Sequence, residues 1–315
     1  MNAGDTDSPK QSTAGKTVRH FLQESDLSAA EFRQIIAAAI QLKEHWQRGE
    51  LRQTLQNRTL AMIFEKASTR TRCSFEAGMN QLGGHAINLS PADSQLGRGE
   101  PIADTSRVLS QMVDAAMLRT NSHDTIEDFA SVSTIPVING LSDRLHPCQL
   151  LADMQTVFEL RGNSDGAVMA WVGAGNNVCN SFINTAELLN FRLNIASPEA
   201  FKPDQSVLAG TGDNIQCTQD PRAACENADV IITDVWTSMG EESEDEQRKR
   251  SLAPYQVNKK LMELASKDAI FLHCLPAHRG EEVSAEVIDG PQSAVWQEAG
   301  NRLHAQKALL EFLLC

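Results

Sequence analysis

The chain has 315 residues, which at about 150 residues per domain predicts two domains. Its 28 basic and 41 acidic side chains give a formal net charge of −13, and this acidic balance excludes a general surface for nucleic acids or other polyanions. No apolar run approaches the roughly 18 residues of a membrane helix, so no membrane partner is expected.

Residues 1–15 are polar, contain no apolar signal-peptide segment and are predicted to form a disordered leader. The seven cysteines are odd in number and none are paired as C-x-x-C. Reduced thiols and a cytoplasmic location are therefore expected.

Helical and strand-like patterns alternate after the leader. The first helix is predicted to begin at Ser28, because Ser28 and Glu31 have the spacing of a capping box, and to end near Gly49. Strands are predicted at 60–64, 86–89, 115–118, 135–138, 167–172, 192–196, 230–235 and 269–273. Later helices are predicted at 74–82, 103–113, 148–160, 177–190, 221–227, 256–265 and 298–314.

Apolar strands separated by helices are typical of parallel sheets covered on both faces. We therefore predict an α/β protein with two doubly wound parallel-sheet domains, at 16–150 and 151–297. The final helix, within 298–315, is predicted to pack back on the first domain. The charged segment 240–250 is interpreted as a solvated loop, with a mobile lid as the alternative.

Polar side chains follow several of these strands, where parallel sheets bind ligands. The segment 68–72 (Ser-Thr-Arg-Thr-Arg) places hydroxyl and guanidinium groups at a helix N-terminus, which suits a phosphate group. A capped helix with surface arginines is the alternative. Arg119 ends another strand and is either a second ligand of the same cleft or a surface ion-pair residue. His146 and Gln149 flank the start of a helix at Pro147, where both can hydrogen-bond a carbonyl group.

Comparable segments occur in the second half of the chain. The turn 173–177 follows a strand, but Val178 stands where a dinucleotide motif has its third glycine, which argues against a nicotinamide-dependent dehydrogenase. Asp234, at a strand end, can pair with a cationic amine. Cys274 is either a polar pocket residue or a nucleophile that needs a base directed at it. The His, Cys and Glu side chains of 273–281 fit no zinc motif, so no metal is predicted.

Four motifs occur in order: Ser-Thr-Arg-Thr-Arg at 68–72, His-Pro-Cys-Gln at 146–149, Asp-Val-Trp-Thr-Ser-Met-Gly at 234–240 and His-Cys-Leu-Pro at 273–276. Together they resemble the transcarbamylase family, and within it the ornithine branch, over about residues 17–315. The resemblance implies transfer of the carbamoyl group from carbamoyl phosphate to the δ-amine of L-ornithine, giving L-citrulline and phosphate in arginine biosynthesis. It also implies a homotrimer with shared active sites and neither a metal nor an organic cofactor.

The resemblance also assigns residues to the two substrates. Those expected to bind carbamoyl phosphate are Ser68, Thr69, Arg70, Thr71, Gln95, Arg119, His146, Gln149, Cys274, Leu275 and Arg302. Those expected to bind ornithine are Asn177, Asp234, Ser238 and Met239. The expected catalytic residues are Arg70, Arg119, His146 and Cys274. Gln95 resembles a residue that reaches into the site of a neighbouring subunit.

One departure from the family pattern is visible at Ala174, where relatives often carry an acidic residue. Alanine cannot make that residue's hydrogen bonds, so the turn is expected to be held differently. Two alternatives to an ornithine enzyme remain: a transcarbamylase for another amine such as putrescine, and a non-catalytic paralogue. The Ser-Met-Gly segment at 238–240 favours ornithine, and the complete set of polar residues argues against the paralogue.

Overall fold

The computed structural model describes residues 18–90, 99–237 and 245–315. The predicted leader at 1–15, Gln95, Ser238, Met239 and residues 240–244 of the charged segment lie outside these ranges. The strands are β1 (Thr59–Phe64), β2 (His85–Leu89), β3 (Ala115–Arg119), β4 (Val137–Leu141), β5 (Val168–Val172), β6 (Arg192–Ala196), β7 (Ile215–Thr218), β8 (Val230–Ile232) and β9 (Ile270–Leu272). The helices are α1 (Ala29–Gln47), α2 (Thr69–Gln81), α3 (Ile102–Leu109), α4 (His123–Val132), α5 (Pro147–Arg161), α6 (Asn177–Leu189), α7 (Gln205–Leu208), α8 (Pro221–Cys225), α9 (Asp245–Leu252), α10 (Lys259–Met262), α11 (Ala285–Ile288) and α12 (Val295–Leu314).

The strands form two parallel sheets, with the orders β2-β1-β3-β4 and β7-β6-β5-β8-β9. In each sheet the chain moves outward on one side of the first strand and then continues on the other side. The strand order therefore reverses between β1 and β3 and again between β5 and β8. Ligands of open α/β sheets bind at such reversals, beyond the carboxyl ends of the strands. The predicted fold of two doubly wound parallel sheets is confirmed.

Several predicted element bounds are wrong. Strand β7 was not predicted, because Ile215-Gln-Cys-Thr is a half-polar edge strand without a continuous apolar run. Helix α2 begins at Thr69 rather than 74, because Ser68 caps it and its polar first turn masked the helical pattern. Residues 245–250, interpreted as loop or lid, belong to helix α9. The boundary predicted at 150 falls within the continuous helix α5 and stays a prediction.

Helix α12 packs against α1, α2 and α5, as predicted for a helix that returns to the first domain. The apolar side chains that α12 adds to the core include Ala305, Leu309 and Leu310, all fully buried or nearly so. The same helix also buries polar side chains, among them Glu298 and Arg302, which are 1% and 3% exposed. Because such groups stay in an interior only when they are paired, α12 carries a polar network into the centre of the molecule. No helix in the described part of the chain has the length and apolarity needed to cross a bilayer.

A buried carboxyl group lies where the chain ahead of α1 contacts α6. Glu24, in a short 3-10 turn, is fully buried, and its Oε2 accepts a hydrogen bond from Nδ2 of Asn184 at 2.9 Å. Its other oxygen has no hydrogen-bond partner among the described residues. Burial raises the pKa of Glu24 to about 7, against the opposing effect of the neighbouring Ser181 and Asn184 side chains.

The raised pKa of Glu24 predicts a specific pH dependence of stability. The folded protein prefers the protonated form of Glu24, so its contribution to the free energy of unfolding is fully present below the ordinary pKa of 4.5. This contribution is lost as the pH rises through about 7. Relative to Glu24→Gln, wild-type protein should lose roughly 1–3 kcal/mol of unfolding free energy between these limits, at about 1.4 kcal/mol per pKa unit. Urea unfolding at pH 4.5 to 8 measures the difference.

Glu31 offers a control with the opposite sign. The hydrogen bond from Arg19 and those from Ser28 lower the pKa of Glu31 to about 2. Its contribution is therefore lost only as the pH falls below its ordinary value. Glu31→Gln should run parallel to wild type from pH 4.5 to 8. A Glu24→Gln curve that also ran parallel would contradict the raised pKa.

Candidate active site

Helix α2 begins where β1 ends, next to the end of β3 on the same sheet. Ser68 caps the helix by accepting a hydrogen bond from the backbone N–H of Thr71 at 3.3 Å. The hydroxyl oxygen of buried Thr71 accepts hydrogen bonds from Nη1 of Arg119 and Nη2 of Arg302, each at 3.2 Å. Residues of α2, β3 and α12 therefore meet at Thr71; the carboxyl-end rule for parallel sheets predicts the meeting of α2 and β3. Thr69 is exposed in the first turn of α2.

Three guanidinium groups surround this helix start. Nη2 of Arg70 donates to the carbonyl oxygen of Leu275 at 2.6 Å, across from the second sheet. Burial, and then the charges of Arg302 and Arg70, lower the pKa of Arg119 to about 10. Nε of Arg119 is buried and has no hydrogen-bond partner within the described ranges. Clustered arginines with an unsatisfied donor at a helix N-terminus form a binding site for an anion such as phosphate.

His146 lies at the start of α5, ahead of Pro147, and is 4% exposed. Its backbone N–H donates to Oγ of Ser181 at 2.8 Å, while its ring Nδ1 has no partner among the residues described. Burial, with smaller effects from Arg302 and Arg119, lowers the pKa of His146 well below 6.5. The imidazole is therefore neutral at physiological pH. A neutral imidazole suits an uncharged carbonyl group better than a further positive charge beside the arginines would.

Gln149 lies one turn further along α5 and joins the arginine cluster. Its Oε1 accepts a hydrogen bond from Nη1 of Arg302 at 2.5 Å. Its Nε2 donates to Oδ1 of Asp153 at 2.7 Å and to Oε1 of Glu298 at 2.9 Å. Burial raises the pKa of both carboxyl groups.

Asp153 and Glu298 were missed in the sequence analysis. A usable signal was present, because each lies four residues from a predicted site residue on the same helix: Gln149 precedes Asp153 and Arg302 follows Glu298. Residues four apart share a helix face. An acidic residue at that spacing from a predicted pocket residue therefore points into the same polar region.

Asp234 follows β8 on the second sheet, and three hydrogen bonds hold its carboxylate. Its Oδ1 accepts hydrogen bonds from the backbone N–H of Val235 at 2.8 Å and from Sγ of Cys274 at 3.1 Å. Its Oδ2 accepts from Nδ2 of Asn176 at 2.6 Å. Asn176, which sequence reasoning also missed, caps α6 and so holds this carboxylate in place. Nδ2 of Asn177 instead donates to the carbonyl of Ser142 at 2.7 Å, and its assigned contact with ornithine stays a prediction.

The segment after β9 connects the two halves. The N–H of Leu275 donates to Nδ1 of His273 at 2.9 Å, and Nε2 of His273 lies 3.2 Å from Oε1 of Glu282. Burial and the neighbouring carboxylate of Asp234 raise the pKa of Cys274 well above 9. Cys274 is therefore a protonated hydrogen-bond donor, which favours the pocket interpretation over the nucleophile.

A metal-like grouping coincides with this segment. One potential ligand atom each from Asp234, His273 and Cys274 lies within 4.8 Å of the others. The hydrogen bonds within and around the group already use the Cys274 thiol and both ring nitrogens of His273. A metal ion would have to displace these bonds, so the donor set suits a polar pocket better than a resident ion.

The turn after β5 is held by a hydrogen bond to the backbone of Ala174 and by packing of its side chain. The carbonyl of Ala174 accepts a hydrogen bond from Nε1 of Trp171 at 3.0 Å, and its side chain packs with Trp236 and Leu252. Gly175 lies so close to the backbone of Pro203 that a Cβ atom would overlap it. An indole donor and close packing therefore hold the turn, and whether it is held differently from the turn of relatives stays a prediction.

Comparison with known proteins adds to this geometry. Residues 19–159 match the family model "Aspartate/ornithine carbamoyltransferase, carbamoyl-P binding domain", and residues 165–313 match "Aspartate/ornithine carbamoyltransferase, Asp/Orn binding domain". A curated protein from Nitrosococcus oceani named ornithine carbamoyltransferase is 58% identical over 95% of this chain and 98% of its own.

Two solved structures are also similar. The ornithine carbamoyltransferase of Pyrococcus furiosus is 48% identical with a TM-score of 0.91, over 94% of this chain and 97% of that chain. The anabolic ornithine carbamoyltransferase of Campylobacter jejuni is 43% identical with a TM-score of 0.88, over 94% and 99% of the two chains.

Proposed function

The chain belongs to the aspartate/ornithine carbamoyltransferase family, and on that premise we propose that it transfers the carbamoyl group of carbamoyl phosphate to the δ-amine of L-ornithine. The products are L-citrulline and phosphate, in the biosynthesis of arginine. The observation that carries the choice of acceptor is the 58% identity to a protein named ornithine carbamoyltransferase, over nearly the full length of both chains.

Carbamoyl phosphate would occupy the pocket around Thr71. The N-terminus of α2, with Ser68, Thr69 and Arg70, would hold the phosphate group together with Arg119. The unpartnered Nε of Arg119 supports this assignment, because a phosphate oxygen would satisfy it. The carbamoyl end would lie against the other residues expected to bind this substrate, namely His146, Gln149, Cys274, Leu275 and Arg302.

The reaction needs a neutral amine and stabilisation of developing negative charge. An alkylamine has an ordinary pKa of about 10.4, and the positive charges of Arg70 and Arg119 raise the cost of an ammonium group beside them. The amine nitrogen then forms a bond to the carbonyl carbon as the bond from that carbon to the phosphate oxygen breaks. Thr71, Arg119 and His146 would stabilise the charge on the carbonyl oxygen and on the departing phosphate, and the proton of the nitrogen passes to that phosphate, which leaves as hydrogen phosphate.

Asp234 would bind the α-amino group of ornithine rather than act as the base. Its carboxylate is fixed by Asn176 and Val235 and faces Cys274, which places a negative charge beside the carbamoyl end. Asn177, Ser238 and Met239 would complete the ornithine site. A donor thiol at Cys274 would orient this carboxylate and contact the carbamoyl end without forming a covalent intermediate.

Cys274→Ser tests the role of the thiol. A serine hydroxyl also donates to a carboxylate, so we expect at least about a tenth of wild-type turnover, whereas loss of a covalent nucleophile typically costs about 10⁴-fold or more. Steady-state kinetics at matched folded fraction provide the measurement, with Cys274→Ala as the variant that cannot donate. A loss of about 10⁴-fold in Cys274→Ser would instead support Cys274 as a covalent nucleophile.

We also propose a cytoplasmic homotrimer with active sites shared between subunits, to which Gln95 of a neighbour contributes. All seven cysteines are free, which is usual for proteins of reducing compartments. Val108 and Met112, near the end of α3, are large exposed apolar side chains of the kind that subunit contacts cover. Light scattering would test the trimer against the 34.5 kDa mass of one chain.

The activity is tested by a colorimetric citrulline assay of the purified chain with carbamoyl phosphate and L-ornithine. Parallel reactions contain putrescine, N-acetylornithine or aspartate, with phosphate release as the common readout. Citrulline formed with ornithine as the preferred acceptor is the expected result. Turnover with another acceptor alone would overturn the ornithine assignment and keep the phosphate half, and no turnover with any acceptor would favour a non-catalytic paralogue.

A further inference from the structure

Glu298 contacts residues of both halves of the candidate site with the two oxygens of one carboxyl group. Its Oε1 accepts a hydrogen bond from Nε2 of Gln149 on α5, at 2.9 Å. Its Oε2 accepts from the backbone N–H of His273, immediately after β9, at 2.9 Å. The side chain is 1% exposed, so these contacts form without competition from solvent.

The contact to Gln149 determines which way its amide faces. Both amide hydrogens are used, one by Asp153 and one by Glu298. The amide oxygen must therefore face Arg302, from which it accepts a hydrogen bond at 2.5 Å. Arg302 in turn reaches Oγ1 of Thr71. Glu298 thus acts on the anion pocket through Gln149.

The contact of Glu298 with the backbone of His273 holds the segment 273–275, on the side of the site proposed for the amine acceptor. With its N–H held by Glu298, His273 presents Nδ1 to the N–H of Leu275. The carbonyl of Leu275 then accepts from Arg70, at the edge of the anion pocket. Two chains of hydrogen bonds therefore start at Glu298 and both end at the arginine cluster.

We propose that Glu298 is a positioning residue that fixes the carbamoyl phosphate pocket and the acceptor segment 273–275 relative to each other. This inference rests on the proposed function. Stability alone does not account for the arrangement, since two buried carboxyl groups are costly and apolar side chains of similar size often stabilise such a position better. Burial raises the pKa of Glu298 and of Asp153, and Gln149 connects both carboxyl groups to Arg302.

Glu298→Gln provides the test, because an amide has only one oxygen and can keep at most one of the two accepting contacts. A displacement of about 1 Å in a catalytic group costs on the order of 100-fold in rate, and we expect a fall in kcat of that size. We also expect weaker binding of inorganic phosphate, measured by calorimetry. Should the variant fail to fold, Glu298→Asp keeps the charge, is too short to span both partners and should show the same loss.

Two comparison variants separate positioning from packing. Glu159 also joins α5 to α12, accepting from Lys43, Asn301 and Gln297, and has no hydrogen bond to the site residues that the structure describes. Glu159→Gln should lower stability and leave kcat unchanged. Asp153→Asn retains an oxygen for Gln149 and should lose about tenfold in kcat at most, well short of the loss expected at Glu298.

The outcomes are distinct. Loss of kcat in Glu298→Gln, with Glu159→Gln at wild-type kcat, supports the inference. Wild-type kcat in folded Glu298→Gln overturns it, as does an equal loss in Glu298→Gln and Asp153→Asn, which would assign the effect to the charge of the pair. A wild-type chain inactive with ornithine refutes the proposed function instead, and phosphate binding by the variants then still tests the positioning role.

Discussion

Arg70→Gln is expected to lower turnover by about 100- to 1,000-fold, the usual loss when one preorganised donor to a developing charge is removed. Arg70 stands in the first turn of α2 and reaches across the cleft to the carbonyl of Leu275. Glutamine keeps the length of the first part of the side chain but loses the positive charge and the planar fork that match a phosphate group. Steady-state kinetics with carbamoyl phosphate as the varied substrate measure the loss.

Arg72→Gln is the matched control for this prediction. Arg72 lies two residues further along the same helix, is about half exposed at 52%, and pairs with Glu76 at 3.1 Å. Surface pairs of this kind contribute about 0–1 kcal/mol to stability. The control should therefore keep wild-type kinetics. Turnover in Arg70→Gln that matched the control would refute the phosphate assignment of the α2 start.

Asp234→Asn is expected to raise the KM for ornithine about 100-fold, within the range of roughly 2–5 kcal/mol for removing one partner of a buried charge pair. The KM for carbamoyl phosphate should change little, because the direct partners of Asp234 are Asn176, Val235 and Cys274 and not the arginines. Initial rates over a grid of both substrate concentrations separate the two effects.

Asp229→Asn serves as the control from the opposite end of β8. Asp229 immediately precedes the strand, pairs with Arg161 at 2.5 Å and accepts from the N–H of Val168 at 2.9 Å. Its replacement should lower stability without a change in the KM for ornithine. An Asp234→Asn variant that weakened carbamoyl phosphate and spared ornithine would reverse the division of the site proposed above.

Much of the fold follows from apolar patterning, because a strand buried on both faces needs a continuous apolar run. Leu60-Ala-Met-Ile-Phe64 is such a run and forms β1. The pattern fails at β7, since an edge strand pairs on one side and tolerates the polar residues of 215–218. It also fails at α9, because five of its eight residues are charged and only Leu252 is apolar, so the sequence has no apolar face to predict a helix.

The candidate site divides in the same way. Arg70 and Thr71 follow β1 and Arg119 ends the adjacent strand β3, so local sequence and the carboxyl-end rule together predict that they meet. Arg302 was assigned by resemblance alone, because nothing local in α12 indicates that the helix returns to α2 and α5. Asn176 and Glu298 act through contacts between distant segments, and their roles require the tertiary structure.

The return of α12 has a consequence for synthesis on the ribosome. The first sheet and helices α1 and α2 are translated well before α12, which covers them and delivers Arg302 to Thr71. Until α12 has been made, the faces of α1 and α2 that it covers lack their partner. A nascent chain therefore exposes apolar surface while the whole second sheet is still being translated, and this interval is where chaperone binding should concentrate.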